Sequence, residues 1–182
     1  KVSRFGDDTT TLTREAAEKL KAAGAKKVIL DLRGNPGGYL ESAVDVSSLW
    51  LDNKIVLQEK RDGVVIKTYK SRGDAPLLGI STVVLIDEGS ASASEIVAGA
   101  LHDNKAATLM GVKSFGKGSV QQPQNLQNGA ILKVTIARWF TPNGKNIDKE
   151  GIQPDQKVER SEEDFEAGRD PQLDAAVQKL NQ

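Results

Sequence analysis

The sequence predicts an α/β domain in which short buried strands alternate with helices, with a β-hairpin and a long further strand beside them. Three observations predict it. Lys27–Leu32 and Thr82–Ile86 are short runs rich in branched residues, with too few polar positions to face water on either side. Each leads through a turn of small residues into a segment whose apolar residues recur at helical spacing. The second half adds an alternating stretch, Ala130–Phe140, that reads as one long strand.

Lys1–Phe5 resembles the end of a strand, as in a fragment of a longer protein. Thr13 is a candidate N-cap for a helix over Arg14–Ala23, with Ala16, Ala17, Leu20 and Ala23 on one side and Gly24 as its stop. After the first buried strand, Tyr39–Leu51 reads as a helix with Leu40, Ala43, Val44, Leu49 and Trp50 toward the core. Lys54–Lys70 reads as a hairpin turning at Arg61-Asp62-Gly63. A helix from the serine-rich turn to about His102 and a short strand, Ala106–Met110, follow the second buried strand. Asn128-Gly129 has the composition of a tight turn before the long strand. Asp170-Pro171 supplies an N-cap and a first-turn proline for a last helix through Leu180, striped by Leu173, Ala176, Val177 and Leu180. No composition break divides the 182 residues, which are read as a single domain, 1–182.

Composition removes several kinds of chemistry. Acidic and basic residues number 25 each, so no net field draws the chain to nucleic acid or an anionic membrane. Cysteine is absent, which excludes a thiol nucleophile, disulfides and thiolate metal sites. His102 is the only histidine, so a His-rich metal site is excluded, and neither a metal nor another cofactor is expected. No apolar run reaches the length of a membrane span.

Three segments carry candidate chemistry. Gly89-Ser90-Ala91-Ser92-Ala93-Ser94-Glu95 places three hydroxyls at a helix start, where free N–H groups favour a developing negative charge. Taken alone it is also an ordinary Ser-capped helix. Arg33-Gly34-Asn35-Pro36-Gly37-Gly38, at the end of a buried strand, exposes backbone N–H groups, but it lacks the Walker and Rossmann spacings and equally suits a plain tight turn. Phe115-Gly116-Lys117-Gly118 sets a lysine between glycines. Such a lysine is either a solvated surface charge or one held neutral by partial burial, able then to accept a proton.

In this order, and with Ala137–Gly144 and Gly151-Ile152-Gln153-Pro154-Asp155 behind them, these segments resemble the catalytic core of the C-terminal processing peptidases, or tail-specific proteases. The likeness covers nearly the whole chain. It implies a core of the Clp protease/crotonase type and a serine endopeptidase with a Ser–Lys dyad. Position by position it implies Ser92 as nucleophile, Lys117 as general base and Gln121 as the residue that orients the lysine. The oxyanion hole falls on the N–H of Ala93 with that of Gly37 or Gly38, between which the sequence does not decide. Ser90 and Ser94 are read as turn and cap residues, His102 as structural, and Glu95 as a first-turn carboxylate. Extended or unfolded polypeptides cut near their C-termini are the implied substrates, and the bacterial periplasm or cell envelope is the implied setting. Family members carry a PDZ domain that engages substrate, and nothing in this chain resembles one, so a PDZ domain or regulatory protein is an expected partner in the parent protein. The oligomeric state is not indicated. A non-catalytic peptide-binding or assembly core is the alternative, and acyl-CoA chemistry on the related crotonase fold a weaker third.

Overall fold

The computed structural model describes residues 1–126 and 129–182. In chain order the elements are α1 (Thr9–Ala22), β1 (Lys27–Asp31), α2 (Leu40–Ser47), β2 (Ile55–Arg61), β3 (Val64–Lys70), β4 (Ser81–Ile86), α3 (Ala93–Asp103), β5 (Thr108–Gly111), β6 (Ser119–Asn125), β7 (Ile131–Phe140), β8 (Gln156–Lys157), α4 (Glu162–Glu166) and α5 (Pro171–Leu180). They form two sheets. The first is parallel, in the order β1-β4-β5-β8, and the second antiparallel, in the order β3-β2-β7-β6.

The two-residue period of a strand explains how the parallel sheet is covered on both faces. Val28, Leu30, Val84, Ile86 and Leu109 pack into a core with residues of α2 and α3, while Val83, Leu85 and Met110 pack with Ala176 of α5. The chain therefore has the α/β architecture its sequence predicts, and the antiparallel sheet is built from two hairpins. The β2–β3 hairpin closes through Asp62 and Gly63, with φ of 49° and 80°, the left-handed pair that a two-residue turn between right-twisted strands requires. Asn128, expected in the turn between β6 and β7, lies outside the described residues. Val56 and Leu57 of β2 are fully buried in the core that holds α3.

Three boundaries and stripes differ from expectation. α1 begins at Thr9 rather than Arg14, because the Thr13 hydroxyl donates to the Thr9 carbonyl (2.6 Å) inside the helix instead of capping it. Of its expected apolar side only Ala17 is buried. α2 stops at Ser47, and Leu49 and Trp50 are buried in the turns that follow it. α5 starts as expected, the Asp170 side chain accepting from Leu173 N–H at 3.0 Å, but only Ala176 of its stripe is fully buried, with Leu173 and Val177 exposed. Among the described residues no helix is long and apolar enough to cross a membrane.

The carboxyl ends of β1 and β4 meet, and there the glycine loop and the serine turn are sewn together. Ser90 Oγ donates to the Leu32 carbonyl (2.9 Å), Gly34 N–H to Asp87 Oδ1 (2.8 Å) and Ala91 N–H to the Asn35 carbonyl (3.0 Å). The Arg33 guanidinium fastens the same end of the sheet to α5, bonding Asp31 at 2.9 Å, Asp170 at 2.8 Å and the Gln172 amide oxygen at 3.0 Å. Carboxyl ends of parallel strands are where open α/β sheets receive ligands.

Candidate active site

Ser92 occupies the N-cap of α3 with φ 57° and ψ −114°, a left-handed conformation that costs a non-glycine residue about 1–3 kcal/mol. The same kind of strained turn between strand and helix lifts the nucleophile of hydrolases toward substrate. Ser92 remains only 9% exposed. Ser90 and Ser94 are fully buried and structural: Ser90 Oγ is used on Leu32, and Ser94 Oγ donates to the Asn35 carbonyl at 2.9 Å.

Glu95, one turn into α3, is the residue whose role the sequence concealed. It is fully buried (0% exposed) and accepts four bonds. Oε2 takes Ser92 N–H and Lys117 N–H, both at 2.8 Å; Oε1 takes Gly116 N–H and the Ser114 hydroxyl, both at 2.6 Å. One carboxylate oxygen therefore ties the backbone of the candidate nucleophile to that of the candidate base, across 25 positions of sequence (117 − 92). Its first-turn place suits the helix dipole, as expected. Its reach to residues 114–117 depends on a long-range fold that no local pattern encodes.

The lysine segment is held from its other side by the loop 147–151. Lys149 N–H donates to the Gly116 carbonyl (2.8 Å), and a Cβ at Gly118 would collide with the Asp148 amide nitrogen. Packing both glycines inward turns Lys117 outward: its side chain is exposed, and among the described residues its ammonium has no hydrogen bond or ion pair. Of the two readings the sequence left open for this lysine, the exposed one describes this structure. Gln121, on β6, is exposed as well and makes no hydrogen bond to Lys117. The structure thus brings together the backbone of Ser92 and Lys117, while no hydrogen bond among the described residues joins the lysine or glutamine side chain to the serine.

The glycine loop lies directly on the serine turn. A Cβ at Gly37 would sit 2.7 Å from Ser92 Cβ and 2.9 Å from Ala93 N, so only glycine allows this approach. Gly37 and Gly38 differ in their bonds. Gly37 N–H is used, donating to Asn35 Oδ1 at 2.9 Å, whereas Gly38 N–H and Ala93 N–H have no acceptor among the described residues. Two free amides thus stand beside Ser92. A cleft of about 900 Å³ opens nearby, lined in part by Arg33, Gly34, Asp87, Ser114 and Phe115, though not by Ser92 itself.

His102 is at the far end of α3, its Nδ1 3.1 Å from Asp103 and its Nε2 3.0 Å from Asp155, a structural clamp remote from the serine turn. Burial pulls its pKa down, but the bond to Asp103 and the charge of Asp155 outweigh that and hold it above its ordinary value.

Comparison with known proteins places this arrangement. The chain is 42% identical over 165 residues to the carboxyl-terminal-processing protease of Synechocystis, covering 88% of this chain and 37% of that protein. It is 41% identical over 162 residues to the carboxy-terminal processing protease CtpA of Bacillus subtilis, covering 87% of this chain and 34% of that one. Among solved structures, the photosystem II D1 C-terminal processing protease superposes with a TM-score of 0.83 at 33% identity, over 87% of this chain and 41% of that one. The tricorn protease, at 20% identity and a TM-score of 0.61, shares the fold over 85% of this chain and 15% of its own. The chain spans about a third of the length of the curated relatives it matches. The sequence pattern of peptidase family S41 matches residues 1–158, and the chain belongs to that family.

Proposed function

We propose that this chain is the catalytic core of a serine endopeptidase that cuts extended polypeptides near their C-termini, with Ser92 and Lys117 as a dyad. The observation that carries the reading is the strained Ser92 beside two acceptor-free amides, its backbone tied through Glu95 to that of Lys117. Ser92 Oγ attacks the scissile carbonyl carbon while the neutral Lys117 amine takes the hydroxyl proton. The oxyanion is received by Ala93 N–H and Gly38 N–H. The tetrahedral intermediate collapses as Lys117 returns the proton to the leaving nitrogen, and water then hydrolyses the Ser92 ester by the same base. Gln121 orients the lysine when its side chain turns inward. The nearby cleft offers room for several residues of extended chain. No cofactor enters the scheme.

Ser92→Ala and Lys117→Ala are expected to abolish cleavage of unfolded casein with the circular dichroism spectrum unchanged, and cleavage by the Ser92→Ala protein would overturn the assignment. The extracytoplasmic setting implied by the family is part of the proposal, and fractionation of the source cells checks it. One observation favours a second reading, a peptide-binding core that does not cut: the Lys117 side chain is exposed and, among the described residues, makes no hydrogen bond to Ser92. Labelling of Ser92 by a fluorophosphonate probe decides between them, since a binding core leaves the serine unreactive.

A further inference from the structure

Asn35 is fully buried (0% exposed), and each of its polar atoms is used. Its N–H donates to the Leu32 carbonyl (3.2 Å), and its own carbonyl accepts Ala91 N–H (3.0 Å) and Ser94 Oγ (2.9 Å) from the serine turn. In the side chain, Nδ2 donates to the Val2 carbonyl and Oδ1 accepts Gly37 N–H, both at 2.9 Å. One neighbour is an acceptor and the other a donor, so the amide has a single orientation that satisfies both.

The consequence lies one peptide further on. The Gly37 carbonyl accepts Phe5 N–H at 2.9 Å, and all peptide bonds in the described chain are trans. In a trans peptide the N–H points opposite to the C=O. Gly38 N–H is therefore aimed away from Phe5, and the peptide plane that carries it is pinned at its carbonyl by Phe5 and at the preceding N–H by Asn35. Gly37 lies against Ser92 Cβ and Ala93 N, which puts this plane beside the nucleophile.

We infer that Asn35 is a positioning residue of the oxyanion hole: by consuming Gly37 N–H and bonding the serine turn through its carbonyl, it selects Gly38 N–H as the donor and fixes its aim. The inference rests on the proposed protease reading. Asn35 touches no reacting atom and acts through Gly38. Its loss frees the Gly37–Gly38 backbone to turn, so the developing oxyanion loses an aligned donor while ground-state binding along the cleft is untouched.

The test uses Asn35→Ala and Asn35→Asp, with peptide cleavage and amide exchange by NMR as readouts. Removing an oxyanion donor outright costs about 100- to 1000-fold in kcat, so a misaimed one is expected to lower kcat by roughly 10- to 100-fold with KM changed by less than about threefold. Asn35→Asp supplies a readout that loss of packing would not move. Protonated, its carboxyl donates to the Val2 carbonyl and accepts Gly37 N–H as the amide does; ionised, it sets an acceptor against an acceptor. Its kcat relative to the parent at each pH should rise as pH falls, which separates its titration from that of the dyad. In the parent, Gly37 N–H should exchange more slowly than Gly38 N–H, and in Asn35→Ala that difference should vanish. A folded Asn35→Ala protein with parental kcat, or equal exchange at the two glycines of the parent, overturns the inference. A parent chain no more active than Ser92→Ala would instead sink the protease reading, and the exchange pattern alone would then decide whether Asn35 holds the loop.

Discussion

Glu95→Gln separates holding the proposed dyad from merely filling space. The amide keeps the shape of the carboxylate but replaces one acceptor oxygen with a donor. Seated at the Oε2 position, its NH₂ would oppose two donors, Ser92 N–H and Lys117 N–H; seated at Oε1 it opposes Gly116 N–H, while the Ser114 hydroxyl can rotate. The second placement costs less. It still leaves one buried N–H without an acceptor, about 1–3 kcal/mol, and weakens three charge-assisted bonds to neutral ones. The cheaper burial of a neutral group returns part of that, leaving a loss of about 2–4 kcal/mol, a large fraction of an ordinary domain's stability. Urea unfolding followed by the fluorescence of Trp50 and Trp139 measures it. Turnover is measured at a temperature where both proteins are folded. There, kcat should fall by about 100-fold, the order expected when a reacting group is displaced by about 1 Å, with KM little changed. A Glu95→Gln protein with parental kcat would refute the idea that this carboxylate sets the dyad's register.

Two further outcomes follow from the ion pairs. Arg33→Ala leaves half-buried Asp31 without its paired cation and Asp170 with only the 4.0 Å pair to Arg160, and a loss of about 3–5 kcal/mol is expected in urea unfolding. Burial raises the Asp31 pKa but its bonds to Arg33 lower it further, and Asp170 is lowered chiefly by its bond to Arg33. Both contribute stability that is present above the ordinary carboxylate range and lost as pH falls from that range through their lowered folded values, so the acid limb of stability against pH should flatten in Arg33→Ala. His102 has the opposite sign. Its folded pKa lies above the ordinary value of about 6.5, so its clamp is complete below that pH and weakens as pH rises through the folded value. Melting temperatures from acid to mildly alkaline pH should decline over that interval in the parent, and less in His102→Gln; parallel curves would show that the clamp adds nothing.

What the sequence disclosed about the site is what adjacent residues determine. A buried strand, a turn of small residues and a helix at Ser92 follow from patterning within some twenty positions, and so does the Asp62-Gly63 hairpin. What it withheld depends on distant segments meeting. Glu95 read as a helix-dipole residue because nothing local says that 114–117 returns to α3. Gly37 and Gly38 were indistinguishable because what sets them apart, the use of Gly37 N–H, rests on where the Asn35 amide points. The sequence left Lys117 open between solvated and partly buried, because the packing of its flanking glycines on 147–151 is visible only in three dimensions. Thr13 misled for a simpler reason, since a threonine hydroxyl bonds a carbonyl inside a helix as readily as an N–H at its start.

The exposed lysine bears on how far the chain stands from a working geometry. Were the segment 114–118 unformed, ordering its backbone would cost about 1–2 kcal/mol per residue, roughly 5–10 kcal/mol in all. That ordering is already achieved: Glu95 holds Ser114, Gly116 and Lys117, and Trp139 N–H donates to the Gly118 carbonyl at 2.7 Å. What is left is one lysine side chain, whose immobilisation costs about 2 kcal/mol, or roughly a 30-fold reduction in the competent population. A polypeptide or neighbouring domain that covers Lys117 offsets this cost with little buried area, since about 80 Å² of apolar surface is worth the same amount. For the proposed dyad, coverage of Lys117 by one contact, rather than refolding of the site, is therefore the step that would order the base.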